Sequence, residues 1–315
     1  MTHSRPHSPV TAARASHRPR WCLCFAAVFA PLILAASPDA VRGQDRPLPD
    51  VQTLLQAIRG HLQRDALRQS RYVFVETRRD ITRDPATGRV VSETVNVFES
   101  YPGLPDRPRW KRQIVKNGHA LTAAALADQD RERQRYVLKY AARMERASQA
   151  DRASQTRQRE KERRESDESI EEALRVYSFR VMGREGLEGR DTIALAFSPK
   201  PGVAPRTRDG KLLTKFAGTA WISEADFEVA RLAIEAIDTV SIGLGMVARI
   251  HKGSRLVVDL RKVNDEEWLP VAASYSVSAR LLLLKKVRTD AVVEFSDYRK
   301  FSVLTETTVR AKDER

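Results

Sequence analysis

The clearest pattern in the chain is the alternation of apolar and polar residues between Phe216 and Phe301. From Leu269 to Leu283 every second residue is apolar, and the positions between are mostly small or polar. Period-two alternation predicts a half-buried β-strand, because the apolar positions of a helix recur every three to four residues. Similar alternation surrounds Leu232, Leu256 and Val293. We therefore predict an antiparallel β-meander of five strands.

The length of the long strand predicts curvature. At about 3.3 Å per residue it would approach roughly 50 Å, which is longer than a flat sheet tolerates. Polar turns are predicted at Asn264–Glu267 before this strand and at Arg288–Asp290 after it. The predicted fold class is α+β: an incomplete antiparallel β-barrel, formed by a curled meander, with helices covering its concave face.

Upstream of the meander, helical and strand patterns alternate. Asp50 is the predicted N-cap of a helix whose apolar residues recur at helical spacing from Val51 to Ala66. Strands are predicted between Tyr72 and Lys116, and a further strand from Asp191 to Pro199. A second helical pattern covers Leu121 to Met144. Both helical segments are expected to cover the concave face of the meander.

A charged stretch interrupts this pattern between Glu145 and Ser169. It contains seven basic and seven acidic residues and no apolar residue larger than alanine. Such a segment cannot bury a face, so it is either a solvated helix held by ion pairs four residues apart or a mobile linker. We predict an exposed charged helical insertion at about residues 120–175, with a recognition arm as its functional interpretation.

The N-terminal residues have the pattern of a secretory signal peptide. Four arginines precede an uncharged run of 16 residues, Trp21 to Ala36, which a polar segment follows. We expect cleavage after Gly43, giving a signal peptide at 1–43 and a single domain at 44–315; an uncleaved membrane anchor is the alternative. The predicted location is the periplasm of a Gram-negative-type bacterium.

Cysteine content and charge limit the chemistry and the partners. The two cysteines, Cys22 and Cys24, fall within the predicted signal, so the exported chain has neither disulfides nor thiol nucleophiles. Residues 44–315 contain 50 basic and 40 acidic residues, a net charge of +10. For an exported monomer, anionic lipid head groups at a membrane surface or acidic envelope polymers are expected partners ahead of nucleic acid, and an arginine-rich composition without function explains the excess best.

The sequence contains no recognisable catalytic motif. His61, His119 and His251 are far apart, with no partner at the spacing of metal ligands, and no nucleophile elbow, phosphate loop or dinucleotide fingerprint is present. Acidic neighbours such as Asp226 and Glu228 are best explained as turn residues. We therefore predict no catalytic residue, no metal, no cofactor and no enzymatic activity.

Several motifs in the meander resemble a known family. They are Gly218–Ile222, Glu224–Asp226, Ala230–Leu232, Trp268–Pro270 and Phe295–Phe301. Together they resemble exported bacterial proteins of the outer-membrane lipoprotein-sorting (LolA/LolB-like) superfamily. The resemblance implies a half-barrel, closed on one side by helices, whose apolar face holds lipid, an acyl chain or a lipoprotein. The charged insertion departs from the compact carriers of that superfamily.

The predicted ligand site is the apolar side of the curled sheet. Its residues are Leu232, Ile234, Val258, Leu260, Val271, Tyr275, Val277, Leu281, Val293 and Phe295. If helices fill the concavity only partly, an apolar pocket remains and the protein binds a lipid or acyl ligand. If helices fill it completely, the protein is an envelope scaffold with a packed core.

Overall fold

A computed structural model describes residues 46–301, except residues 70, 105–106, 243–247 and 282–284. For some further residues within helices and strands, including 62–69, 281 and 285, only the backbone is described. The predicted signal peptide at 1–43 lies outside the described residues.

The structure is an antiparallel sheet accompanied by helices. The described helices are α1 (Val51–Gln69), α2 (Ala123–Glu145), α3 (Gln149–Val176) and α4 (Arg208–Leu213). The described strands are β1 (Tyr72–Arg83), β2 (Val90–Leu104), β3 (Arg107–Lys116), β4 (His119–Ala120), β5 (Tyr177–Leu187), β6 (Arg190–Pro199), β7 (Phe216–Ser223), β8 (Val229–Ala236), β9 (Val240–Ile242), β10 (Ala248–Ile250), β11 (Arg255–Val263), β12 (Glu267–Leu281) and β13 (Lys285–Lys300).

The sheet is open. Its main strand order is β4-β3-β2-β1-β13-β12-β11-β8-β7-β6-β5, and the short hairpin β9–β10 pairs with the end of β12. The two end strands, β4 and β5, are consecutive in the chain and are joined by α2 and α3. The fold class predicted from the sequence, an α+β incomplete antiparallel barrel, is confirmed.

Helix α1 packs against one end of the sheet and forms the main apolar core there. The Asp50 carboxylate accepts hydrogen bonds from the backbone N–H groups of Gln52 (3.1 Å) and Thr53 (2.8 Å), which confirms the predicted N-cap. Leu54 and Ile58 are buried against side chains of β6 and β7. That core also contains Ile193, Leu195, Ala220 and Ile222.

Helix α2 meets the opposite end of the sheet in a different way. The Gln129 carboxamide accepts a hydrogen bond from the Gln113 backbone N–H (2.8 Å) and donates one to the Gln113 carbonyl (2.9 Å). The side chain thus replaces a neighbouring strand at the edge of β3, where β4 is only two residues long. Arg112 binds Asp130 of α2 (2.8 Å). The sequence predicted that α2 would cover the concave face of the sheet. Its contacts through Gln129 and Asp130 place it at the edge of β3 instead.

Helix α3 is anchored near its C-terminal end. The buried Glu172 carboxylate accepts hydrogen bonds from the Arg175 side chain (2.7 Å) and the Arg206 backbone N–H (2.6 Å). The Arg175 guanidinium lowers the pKa of Glu172 to about 2, and the backbone N–H groups of Arg206 and Thr207 contribute to the shift. From 151 to 166, every described side chain of α3 is exposed.

Two details of the meander differ from the sequence prediction. The predicted turn at Arg288–Asp290 is wrong, because β13 begins at Lys285 and these residues pair with β1 and β12. The alternation along β12 is interrupted between Ala272 and Pro270, where one extra residue, Val271, shifts the register against β11. The predicted end of the long strand at Leu283 lies outside the described residues.

Candidate functional site

We define the inner face of the sheet as the face that packs against α1. The inner face can be followed from strand to strand through the cross-strand pairs. Residues directly opposite each other in an antiparallel pair point to the same side of the sheet. Ala220 of the core lies opposite Leu232, and Leu232 lies opposite Val258. Val258 in turn lies opposite Ala273, and Ala273 opposite Val293. The inner face therefore extends from β6 to β13.

Seven of the ten residues of the predicted site share this face. They are Leu232, Ile234, Val258, Tyr275, Val277, Val293 and Phe295. Leu260 and Val271 lie at the register shift, where the alternation is broken. Leu281 belongs to β12, but its side chain is outside the described set. The sheet thus brings most of the predicted residues onto one surface, and whether they bind a ligand stays a prediction.

The middle of the inner face is only half covered. Leu232, Ile234, Val258 and Val277 are half-buried, and Leu256, opposite both Ile234 and Tyr275, is 36% exposed. These strands lie in the interior of the sheet order, where a fully packed domain would bury its inner side chains. On the same face Val293 and the small residues Ala230, Ala236 and Ala291 are buried, and Leu232 packs against the core formed with α1. An apolar strip therefore remains accessible along β8, β11 and β12.

Beyond β13 the inner face becomes polar. Arg78 lies opposite Val293, and Asp80 lies opposite Ala291. The Arg78 guanidinium donates to Asp80 (2.7 Å) and to the Tyr275 hydroxyl, which itself donates to Asp80 (3.1 Å). Burial raises the pKa of the Tyr275 hydroxyl. This Arg78–Asp80–Tyr275 cluster forms a polar border beside the apolar strip.

A second polar contact on the same face is more deeply buried. Glu76 is 6% exposed and binds the Lys111 ammonium at 2.6 Å. Beside it, Phe74 makes edge-to-face contact with Phe295 (centroids 5.7 Å apart) and a tilted contact with Tyr298 (5.2 Å). Burial strongly raises the pKa of Tyr298. Aromatic packing therefore closes this end of the strip.

The sequence reasoning missed the polar border. Arg78 and Asp80 lie beyond Thr77, where the period-two apolar pattern of β1 stops, so residues 78–83 carried no strand signal. The signal that could have identified them is cross-strand pairing with Val293 and Ala291, which appears only once β1 and β13 are side by side. Their separation in sequence exceeds 200 residues.

The residues that the sequence singled out as candidate chemistry take part in local contacts. His61 of α1 is half-buried and forms a 2.5 Å contact between its Nδ1 and Glu228. Asp226, next to β8, binds Lys262 at 2.8 Å. Within the described residues, no group of three or more His, Cys, Asp or Glu side chains could hold a metal ion. No helix in the described part of the chain is long and apolar enough to cross a membrane.

Three surface clefts lie elsewhere on the molecule. One of about 430 Å³, between α1, α3 and β5, is lined by Leu55, Phe179 and Lys200 among others. A second, of about 670 Å³, follows the acidic end of α3, and a third, of about 200 Å³, lies beside Arg46 and Arg184. None of these three clefts contains a residue of the predicted ligand site.

Comparison with known proteins gives fold-level similarity alone. No protein-family model matches the chain, and no curated protein matches it. Among solved structures, it is similar to a domain from Vibrio parahaemolyticus named as an outer membrane lipoprotein-sorting protein. The identity is 10%, the TM-score is 0.34, and the match covers 81% of this chain and 94% of that one.

Two further solved structures are similar to the chain. A DUF1329 family protein from Desulfovibrio piger matches at 11% identity and a TM-score of 0.32, covering 81% of this chain and 95% of that one. A LolA superfamily protein from Nitrosomonas europaea matches at 10% identity and a TM-score of 0.26, covering 81% and 96%. Two of these structures bear the name of the family that the sequence motifs resemble, and ligand and activity have to be argued from the geometry of this chain.

Proposed function

We propose that this chain is an exported, non-catalytic binding protein that holds a lipid, an acyl chain or a lipoprotein against the inner face of its sheet. The ligand class is the one that the sequence resemblance implies. The proposed contact surface is the apolar strip on β8, β11 and β12, which includes Leu232, Ile234, Leu256 and Val258, extended by Val277. The proposed location is the periplasm, after removal of the N-terminal segment.

The observation that carries this proposal is the incomplete cover of the inner face. Eleven strands about 4.8 Å apart amount to roughly 50 Å of sheet, whereas a helix of 19 residues is about 28 Å long. Helix α1 approaches β5 and β12 and buries its apolar residues over β6 and β7, α2 lies at the edge of β3, and the apolar side chains larger than alanine on β8 and β11 are at most half-buried. Apolar residues on the central strands are therefore left for another apolar group to cover.

The polar border suits an amphiphilic ligand. An acyl chain gains by leaving water along the strip, at about 25 cal/mol per Å² of apolar surface buried. Arg78, Asp80 and Tyr275 lie at one side of this strip and offer hydrogen-bond donors and acceptors to a head group. A fully apolar face would bind a hydrocarbon without orienting it, whereas this border supports a fixed orientation.

The test places one arginine on each face of the sheet. Val277→Arg and Ile234→Arg put a charge into the strip, while Val292→Arg puts the same charge on the outer face, where Val292 is 44% exposed. The protein is recovered from the periplasm of an expressing bacterium, and the bound acyl species is measured by native mass spectrometry. Uptake of an apolar fluorophore is measured in parallel.

We expect near-stoichiometric acyl ligand on the unmodified chain and on Val292→Arg, and at least about tenfold weaker fluorophore uptake by the two inner-face variants, because a buried unpaired charge is strongly disfavoured. Circular dichroism verifies folding. A folded Val277→Arg chain that binds as well as the unmodified chain would contradict the proposal. An unmodified chain that carries and accepts no apolar ligand would support the packed scaffold instead.

A further inference from the structure

Helix α2 has an outward face that its contacts with the sheet do not use. Its described contacts with β3 come from Gln129 and Asp130, and Arg133 stacks on the Tyr101 ring at 4.5 Å. None of the described residues of this 23-residue helix is buried. Successive residues of a helix are about 100° apart, so Arg131, Arg135 and Lys139 lie on the side away from Gln129 and Arg133.

This outward side is strongly basic. Arg131, Arg135 and Lys139 follow each other at four-residue intervals, and all three are exposed. Asp128 pairs with Arg131, but from residue 131 to 146 there are six basic residues against two acidic ones. The excess continues into α3: residues 131–164 hold twelve basic and five acidic residues, so their net charge is 12 − 5 = +7. Residues 44–315 as a whole have +10.

This arrangement has an energetic cost to the helix. Like charges four residues apart destabilise a helix by roughly 0.2–0.5 kcal/mol per pair. Packing against the sheet does not offset this cost on the outward side, where the side chains are exposed. A partner with closely spaced negative charges would neutralise the repulsion.

An exposed leucine, Leu138, accompanies the basic residues of α2. Its presence favours one class of anionic partner over another. Leu138 is adjacent to Lys139 in sequence, lies about 20° from Arg131 around the helix axis, and is 52% exposed. A nucleic acid backbone offers an aliphatic side chain no apolar contact, whereas a bilayer interface accepts aliphatic groups among cations at the level of the head groups. Basic residues gain about 1 kcal/mol each near an anionic lipid surface.

We propose that the outward face of α2, formed by Arg131, Arg135, Leu138 and Lys139, docks onto the surface of an anionic lipid bilayer. The inference is independent of the inner-face ligand, since α2 contacts the edge of β3 and not the apolar strip. Docking through α2 leaves the apolar strip on β8, β11 and β12 away from the contact residues. The chain then contacts the membrane surface without spanning it.

The first test is co-sedimentation of the periplasmic form of the chain with vesicles. One set contains phosphatidylglycerol and phosphatidylethanolamine, and the other contains phosphatidylcholine alone. The triple variant Arg131→Gln, Arg135→Gln, Lys139→Gln removes three charges from the outward face and keeps good helix formers. The control triple Arg89→Gln, Lys116→Gln, Lys252→Gln removes three exposed charges elsewhere.

We expect binding to the anionic vesicles alone, about 100-fold weaker binding by the α2 triple variant, and unchanged binding by the control triple. Equal loss in both triples would show that net charge and not this face is responsible, and would overturn the proposal. The absence of vesicle binding, or binding to an anionic polynucleotide in its place, would overturn it as well. Fluorophore uptake by the α2 triple should equal that of the unmodified chain, which separates this test from that of the inner-face ligand.

A second measurement reports on insertion at the proposed position. In the periplasmic form, residues 44–315, which contain no other cysteine, Leu138→Cys carries an environment-sensitive fluorophore, and in a second variant Ser296→Cys carries the same label at an exposed position of β13. We expect anionic vesicles to shift the emission of the label at 138 to the blue and to leave the label at 296 unchanged. Equal shifts at both positions, or no shift at 138, would contradict docking through α2.

Discussion

The helices α1 and α2 lie at opposite ends of the same sheet and are attached to it by different forces. In α1, Leu54 and Ile58 are 1% and 5% exposed and pack into the apolar core of β6 and β7. In α2, no described residue is buried, and attachment depends on hydrogen bonds from Gln129 and ion pairs such as Arg112–Asp130. The first helix is part of the core, and the second is an edge partner.

This difference indicates what each helix is available for. Burial of an apolar stripe commits a helix face to folding, so substitutions there cost stability. A helix held by polar contacts at a strand edge keeps most of its surface in water, where its side chains are free to meet a partner. The proposed membrane contact uses that surface, whereas the proposed ligand site uses the part of the inner face that α1 does not cover.

The largest expected effect comes from the same substitution in the two helices. Leu54→Ala in α1 should lower the free energy of unfolding by about 3 kcal/mol, because it removes a fully buried side chain and leaves a cavity. Leu138→Ala in α2 should change it by less than about 0.5 kcal/mol, because the side chain is already half in water. Urea unfolding followed by circular dichroism measures both values.

Equal effects of the two alanine substitutions on the free energy of unfolding would contradict the different attachment of α1 and α2. A large loss at Leu138 would mean that α2 packs on an apolar surface, and its outward face would no longer be available for a membrane. A small loss at Leu54 would mean that the core of β6 and β7 does not depend on α1, and the main cover of the inner face would have been assigned to the wrong helix.

A smaller effect is expected at the edge of β3. Gln129→Ala removes both hydrogen bonds to the Gln113 backbone and should cost about 1.5 kcal/mol, since each such bond contributes roughly 0.5–1.5 kcal/mol. Gln134→Ala, at an exposed position of the same helix, is the matched control and should be neutral. Faster hydrogen exchange at the Gln113 amide in the first variant would localise the effect; unchanged exchange would contradict a role for Gln129 as an edge partner.

The strands and α1 could be predicted because their signals are local. Asp50 followed by apolar residues at helical spacing predicts the start of α1, and the alternation around Leu232 and Leu256 predicts β8 and β11. A turn was predicted at Arg288–Asp290 because these residues are polar. Polar residues also fit a strand when the residues opposite them in the neighbouring strands are polar. Here Arg288 lies opposite Arg83, in a part of the sheet with little apolar alternation.

The candidate site could be predicted only in its apolar half. Alternation shows that Val277 and Ile234 share a side with their own strand neighbours, but not which residues of β1 lie beside them. The cluster of Arg78, Asp80 and Tyr275 depends on the pairing of β1 with β13, which are separated by most of the chain. The position of α2 was mispredicted for a related reason. Its attachment depends on the hydrogen bonds of Gln129, and a polar contact of this kind gives no apolar periodicity in the sequence.

Helix α3, like α2, is held by polar contacts, and acid should weaken the contact that anchors its C-terminal end. Glu172 anchors its last turns, and its pKa in the folded chain is lowered from 4.5 to about 2 by the Arg175 guanidinium and the backbone N–H groups of Arg206 and Thr207. Because the folded pKa is below the unfolded one, the contribution of this carboxylate is complete above about pH 4.5 and is lost as the pH falls towards 2.

Glu172→Gln should therefore lower the thermal midpoint at pH 7, and the gap to the unmodified chain should narrow as the pH falls from about 5 to about 3, where the unmodified chain loses the same interaction. Glu168→Gln, at an exposed position one turn earlier, is the control and should show no gap at either pH. A constant gap across this range would mean that the shape of the side chain and not its charge holds the end of α3. In that case the C-terminal end of α3 would be held by the packing of its side chains, and the charge of Glu172 would not contribute.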